Sequence, residues 1–362
     1  MQMFQKIGIL TFQNTMNYGA VLQSYALQRY LHSIGIEADI IDYRNTAIEK
    51  RESPSKISIK CGIKKWIKYI LYHGGEKRKR ANIDLFIKEN LKKSSAVFWQ
   101  SENPDFNDYD SVIVGSDQVW NTLLTDNDLK YFLKDVSVTK YSYAASCGLE
   151  NSIDSEKTEL LKDFKRISVR EKSLQIELKK WNINAEETLD PTFLLDKNEW
   201  AKLIAPDLVC KDYVLLYQMT NSASLFSFAK KLAKENNCIL LNANPIGTQV
   251  LKSRTKMDAS PFEWLSLIAR AKFVVTNSFH GVAFSINMNK EFYTEIAENE
   301  THSTSRLQSL LDIFQLNHRA IKEVNATDYK PIDYSEVNEL LDINRCNSCK
   351  FLNSIKEELY VL

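Results

Sequence analysis

At 362 residues the chain is long for one hydrophobic core, and that length favours two domains. An apolar share of 44%, with 11% aromatic residues, excludes a disordered or fibrous polymer. Lys and Arg total 47 against 46 Asp and Glu, so the basic excess typical of a nucleic-acid binder is missing, and no nucleic-acid partner is expected.

Met1 to Leu10 lacks the basic start and apolar stretch of a secretory signal. No run approaches the ~18 to 20 apolar residues of a membrane span. Six cysteines, four of them scattered (Cys61, Cys147, Cys210, Cys238), read as reduced thiols. The expected compartment is the cytoplasm.

Lys6 to Phe12 is a short apolar run suited to a buried strand, followed by a polar loop, Gln13 to Asn17. Gly19 to Leu31 carries apolar residues at helical spacing, and Ala38 to Tyr43 is a second strand. Strand, helix, strand within forty residues is a βαβ unit and implies a parallel sheet. Residues 45–95 break the pattern and read as a basic insertion. Strands resume at Ser111 to Gly115, Lys140 to Ala145 and Arg166 to Arg170, with helices expected over Ser155 to Phe164 and Glu171 to Trp181.

A composition shift near 205–212 marks the expected boundary between a first domain, 1–205, and a second, 206–325. Strands then recur at Tyr213 to Gln218, Cys238 to Asn242, Lys272 to Thr276 and Glu291 to Glu295. Helices are expected at Ser222 to Asn236, Pro261 to Arg270, Gly281 to Met288 and Ser305 to Phe314. Residues 326–362 form a tail with a final helix near Ser354 to Leu362, expected to return to the first domain. The fold class is α/β: two Rossmann-like domains facing a cleft, in which ligands sit at the carboxyl ends of strands.

Four junctions between strand and loop stand out. Asn14, Asn17 and Tyr18 lie between the first strand and its helix, where polar residues suit a ligand touching helix-start N–H groups; a cap with tight packing at Gly19 is the alternative. Ser116, Asp117 and Trp120 follow the buried strand that ends at Gly115, as cleft residues or as a cap with a core tryptophan. Arg170 closes a strand and opens a helix, where a cation opposes the helix dipole and wants an anion; an ion pair with Glu171 or Asp190 is the competing role. In the fourth junction, Asn277, Ser278, His280 and Gly281 put a histidine at the mouth of a short apolar helix, beside N–H groups able to face a phosphate.

Taken together, Ile7 to Asn17 with the helix Gly19 to Gln28, Val112 to Asn121, Ile167 to Glu171, Asp190-Pro191-Thr192 and Thr276 to Gly281 resemble the polysaccharide pyruvyl transferase family over nearly the whole chain. The resemblance implies a GT-B-like fold and a transferase that builds a pyruvate ketal on a cell-surface sugar or its lipid-linked precursor. Phosphoenolpyruvate would be the donor substrate, without further cofactor. It also implies donor-binding and catalytic roles for Arg170 and His280. Where many relatives carry Asp-Ser-Phe-His-Gly, this chain has Asn277.

That chemistry asks for a cation to hold carboxylate or phosphate and for an acid to protonate carbon or the leaving group. Arg170 and His280 fit these tasks, with Arg306 as a further anion-binding candidate or an exposed arginine at a helix start. Cys346 and Cys349 offer half a zinc site without a second pair, and no metal is expected. The competing functions are a GT-B nucleotide-sugar glycosyltransferase and a non-catalytic sugar- or phosphate-binding protein of the same fold.

From Lys56 to Lys93 twelve basic residues face three acids, with Ile63, Trp66, Ile67, Ile70 and Leu71 at helical spacing. The pattern fits a peripheral contact of residues 56–93 with the inner face of a membrane; a solvated insertion whose apolar stripe packs on the first domain is the alternative.

Overall fold

The computed structural model describes residues 6–52, 63–148, 152–206, 209–296, 305–321 and 330–360. In the first half, strands β1 (Lys6–Leu10), β2 (Glu37–Arg44), β3 (Lys93–Trp99), β4 (Ser111–Val114), β5 (Thr139–Ala145), β6 (Phe164–Val169) and β7 (Glu186–Glu187) form one sheet in the order β3-β2-β1-β4-β5-β6-β7. Its helices are α1 (Tyr18–Ser33), α2 (Thr46–Glu52), α3 (Ile63–Asn90), α4 (Thr122–Thr125), α5 (Ser155–Lys162), α6 (Lys172–Lys180) and α7 (Lys197–Ala201). The second half arranges β8 (Tyr213–Tyr217), β9 (Ile239–Asn242), β10 (Arg254–Thr255), β11 (Phe273–Thr276) and β12 (Phe292–Thr294) as β10-β9-β8-β11-β12, with α8 (Ala223–Glu235), α9 (Pro261–Arg270), α10 (Phe279–Asn287) and α11 (Ser305–Ile313). A last helix, α12, runs Tyr334–Tyr360.

Every described pairing in both sheets is parallel. Each sheet reverses its strand order once, between β1 and β4 and between β8 and β11. Diverging connections leave a crevice at such a point, at the carboxyl ends of the strands. The helices that open beside these crevices are locally encoded. Asn17 caps α1 by accepting from the Gly19 N–H, Ser278 caps α10 by accepting from the Gly281 N–H, and Ser260 with Glu263 forms a capping box around Pro261 in α9.

The two sheets share one apolar core, which runs from Ile7 and Val21 to Leu215 and Val282. At the junction Tyr18 stacks on Trp264 with ring centroids 5.4 Å apart, and Tyr25 and Phe86 both pack edge-on against Phe262. Aromatic pairs of this kind add about 0.5 to 1.5 kcal/mol each beyond their buried area.

Helix α3 changes the reading of residues 45–95. It is the crossover from β2 to its neighbour β3, and so belongs to the winding of the first sheet. Ile83, Phe86 and Ile87 bury in the shared core. Arg78 pairs with Asp258 at 2.8 Å, Asn82 donates to the Asp258 carbonyl, and the Tyr72 hydroxyl donates to the Gly247 carbonyl. The helix from Tyr72 onward is therefore a brace between the two sheets' domains. Of the apolar positions expected to meet lipid, Ile70 is 73% exposed; the side chains of Ile63, Trp66, Ile67 and Leu71 lie outside the described ones. Among the described residues no helix is long and apolar enough to cross a membrane.

Helix α12 is three times longer than its sequence signal. Tyr334 donates to the Ser285 and Lys290 carbonyls of the second domain, while Glu358 pairs with Arg166 at 2.6 Å in the first. Between them Val337, Leu341, Phe351, Leu352, Ile355 and Leu359 are buried, each contributing about 1.5 to 3 kcal/mol.

Candidate active site

Both crevices open onto the same place, where the ends of β4 and β6 meet the starts of α1 and α10. His280 stands in the first turn of α10 and its ring lies against the backbone of Gly19 in the first turn of α1. A Cβ at position 19 would sit 2.1 Å from the His280 Cγ and 2.2 Å from its Nδ1, so glycine is required there. His280 Nε2 faces Asp190 Oδ2 at 3.6 Å, an ion-pair separation, and makes no hydrogen bond among the described residues.

Asp190 is the hub of the cluster. Its Oδ1 accepts from the Thr192 N–H and hydroxyl at 3.0 and 2.9 Å, and its Oδ2 accepts from Arg170 at 2.8 Å and from the Ser116 hydroxyl at 3.2 Å. Burial would raise its pKa, but the charges of His280 and Arg170 and the Thr192 N–H outweigh that and hold the carboxyl well below the usual range. Helix α12 fixes the loop that carries it: Ser348 accepts from the Leu189 N–H and Arg345 donates to the Phe193 carbonyl.

Arg170 also reaches Asp117 Oδ1 at 3.3 Å and lies 4.3 Å above the centroid of the Phe279 ring. Its side chain is 1% exposed. Burial opposes its charge, and Asp117, Asp190 and Glu171 more than restore it. Two terminal nitrogens of Arg170 thus pair with buried carboxylates, an arrangement that orients Asp190 and Asp117, while its Nε makes no hydrogen bond among the described residues.

Arg306, on α11, is the second cation here. Burial and the adjacent Arg170 pull its pKa down to about 10, against Glu171 and Asp117. Glu171 is buried, accepting from the Ser146 hydroxyl and from the Cys147 and Gly148 N–H groups; burial raises its pKa, opposed by Arg170 and Arg306.

Asp117 sits at φ +72° after the cis Gly115–Ser116 peptide, with its carboxylate turned to Arg170, and the Ser116 hydroxyl also donates to the Ala144 carbonyl. Gly281 is needed because a Cβ there would lie 2.5 Å from Thr276 Oγ1. Asn17 and Ser278 serve as the caps already described.

Four expected contact residues have other work. Trp120 is fully buried: its indole N–H donates to the Tyr131 carbonyl and its rings stack on Phe132, so no face remains for a sugar. Tyr18 is enclosed at the domain junction, with its hydroxyl donating to the Ala259 carbonyl. Asn14 donates to Glu49 and accepts from Arg80. Asn277 accepts from the Met219 N–H and donates to Thr220, stapling the loop after β8.

Sequence reasoning named Asp190 and Glu171 only as alternative ion-pair partners of Arg170 and Gly19 only as a part of the helix start, and it left out Phe279. Asp190 had a signal, an Asp-Pro at a strand end that caps the following turn. Among the described residues no three His, Cys, Asp or Glu side chains converge as a metal site.

Two parallel-sheet domains closing on their strand-end loops define the GT-B class of fold. S. aureus MnaA, solved in a co-structure with UDP, matches this architecture at TM-score 0.51 and 12% identity, over 99% of this chain and 98% of that one. The Neisseria meningitidis UDP-GlcNAc 2-epimerase bound to UDP-GlcNAc aligns at TM-score 0.47 and 11% identity (98% and 93% covered), and E. coli heptosyltransferase WaaC with ADP at 0.40 and 13% (94% and 100%). At these identities the likeness concerns the fold alone. No curated protein matches the chain in sequence. The sequence pattern of the polysaccharide pyruvyl transferases matches residues 17–294, most of the chain, and the chain belongs to that family.

Proposed function

We propose that the protein transfers the enolpyruvyl carbons of phosphoenolpyruvate to a pair of hydroxyls on a sugar, forming a pyruvate ketal and releasing phosphate. The observation that carries this reading is the unit Gly19, His280, Asp190 and Arg170, assembled from both domains at both crevices. It supplies a proton donor held beside a permanent anion, with Arg306 as the nearby cation.

In the first step a sugar hydroxyl adds to C2 of the enol while C3 gains a proton. His280 delivers that proton, with Asp190 Oδ2 standing 3.6 Å from its Nε2. In the second step the C2–O bond to phosphate breaks and a second hydroxyl closes on C2. The first hydroxyl's proton restores His280 and the second leaves with phosphate, so the atoms balance. Arg306 holds the donor's carboxylate or phosphate. General acid catalysis of this type contributes roughly 10² to 10⁴ in rate.

The test is incubation with phosphoenolpyruvate and a panel of free and lipid-linked sugars, reading phosphate release and the mass gained by the sugar. His280→Ala is expected to keep the fold and lower turnover at least a hundredfold. Tight binding of UDP without binding of phosphoenolpyruvate, or wild-type turnover in folded His280→Ala, would overturn the reading.

A further inference from the structure

Helix α12 carries a motif that the chemistry above does not use, Cys346-Asn-Ser-Cys349. Residues three apart on a helix share a face, so the two thiols are neighbours, with Cβ atoms about 5 to 6 Å apart. Both are free, Cys346 exposed and Cys349 partly buried against the shared core. Tyr30, in the last turn of α1, hydrogen-bonds Cys349. Burial raises the pKa of Cys349, opposed by that bond and by the charge of Arg345. Two thiols alone do not hold a structural metal, and among the described residues no third ligand converges on them.

The pair alternates along α12 with the residues that hold the Asp190 loop. Ser348, directly before Cys349, is buried, and its Oγ accepts from the Leu189 N–H at 2.9 Å. Arg345, directly before Cys346, donates to the Phe193 carbonyl at 2.6 Å and to Asn287 Oδ1 at 3.3 Å. Asn287 in turn donates to the Thr192 and Leu195 carbonyls. Asp190 lies between these anchors. A disulfide needs Cβ atoms about 3.5 to 4.5 Å apart, so closing one here must draw the helix in by about 1 to 2 Å. Lengthening the Ser348 contact by about 1 Å takes it beyond hydrogen-bond range. Closing the disulfide and holding the loop therefore compete for the same turn of helix.

We propose that Cys346 and Cys349 are an oxidative modification site, at which a hydroperoxide closes a reversible disulfide that loosens the Asp190 loop and lowers turnover. The Cys346 sulfur attacks the peroxide O–O bond, which breaks; the sulfur becomes a sulfenic acid and one water leaves. The Cys349 sulfur then attacks the Cys346 sulfur, the S–O bond breaks, and the Cys349 proton leaves with the hydroxyl as a second water. Two thiols are oxidised and one peroxide is reduced, so atoms and electrons balance. Exposure makes Cys346 the attacking thiol, and Cys349, held by Tyr30 one turn away, resolves the sulfenic acid. A dithiol reverses the bond by exchange. The loss of turnover rests on the role given above to Asp190; the disulfide and the loosened loop do not.

The test treats the full chain with hydrogen peroxide, blocks remaining thiols with an alkylating agent and digests with trypsin, which cuts after Arg345 and Lys350 and frees both cysteines in one peptide. That peptide is expected to escape alkylation and to be lighter by two hydrogens, and to take two alkyl groups once dithiothreitol has been applied. Amide exchange at Leu189 should quicken tenfold or more in the oxidised protein and return to its former rate on reduction. Phosphate release should fall at least fivefold in treated wild type and stay within twofold in treated Cys346→Ser, with Cys346→Ala as a second variant should the first fail to fold. Untreated, the variant should match wild type in Tm and turnover. Intact or over-oxidised thiols in that peptide, or a disulfide there with unchanged exchange at Leu189, overturns the proposal. Equal inactivation of Cys346→Ser by peroxide assigns the sensitivity to another group and also overturns it. The mass and exchange readouts need no substrate, so they decide the site whether or not the pyruvyl-transfer reading holds.

Discussion

Gly19→Ala is the sharpest probe of the site, because it adds one carbon in a known direction against one known side chain. The new Cβ would lie 2.1 Å from His280 Cγ, 2.2 Å from Nδ1 and 2.4 Å from Cβ. Carbon atoms rest at about 3.5 to 4.0 Å, so the ring or helix α1 must retreat by more than about 1 Å. A misplacement of that size at a reacting centre costs on the order of 10²-fold in rate, about 2.7 kcal/mol of transition-state stabilisation. The stability cost is smaller. Overpacking takes about 1 to 3 kcal/mol, and replacing glycine within a helix returns about 0.5 to 1. The assay is phosphate release per folded molecule, paired with the imidazole resonances of His280 by NMR. The expected result is a loss of about a hundredfold in kcat with a Tm lower by a few degrees and shifted imidazole signals. Full kcat with unshifted signals would show that Gly19 does not seat the histidine.

Asp190→Asn tests the hub by pH. The carboxyl's folded pKa is depressed, so its stabilisation is complete above its unfolded pKa, near 3.9, and is lost as pH falls below it. Thermal melts should find wild type losing its advantage over Asp190→Asn as pH drops below about 4; parallel Tm profiles would contradict the sign. At neutral pH the same variant should be about 3 to 5 kcal/mol less stable by urea unfolding, since Arg170 loses its closer carboxylate. Trp120→Phe removes the indole donor from the Tyr131 carbonyl and should cost about 1 to 3 kcal/mol with acceptor KM unchanged; a raised KM at unchanged stability would restore the platform role. Arg306→Ala should weaken phosphoenolpyruvate binding at least tenfold, read by calorimetry, and Arg170→Ala should lower Tm sharply because it strands two buried carboxylates, read by thermal unfolding.

Continuous apolar runs such as Tyr213-Val-Leu-Leu-Tyr217 and Phe273-Val-Val-Thr276 identify the interior strands without any structure, because a parallel strand with both faces covered has no polar side to show. The α/β class and the loops that hold His280 and Arg170 follow from those runs. The strands left unread, β3 and β10, are both sheet edges, and β7, read only as a strand end at Glu187, is a third. β3 is half open to solvent, and β7 and β10 have two residues each, so local sequence has little to pattern. Helix α12 was read only at its end because Arg345 and Ser348 interrupt its apolar stripe, and their partners are backbone groups of the Leu189 to Phe193 turn, some 150 residues earlier. The same distance in sequence hides the working relations of the site. That Arg170 is already paired, that Asp190 joins it to His280, that His280 needs a glycine at position 19, and that helix α3 braces the two domains were decided only by tertiary structure. Composition and spacing report a residue's local preference, whereas its charge partners and its free volume are set by segments that folding alone brings together.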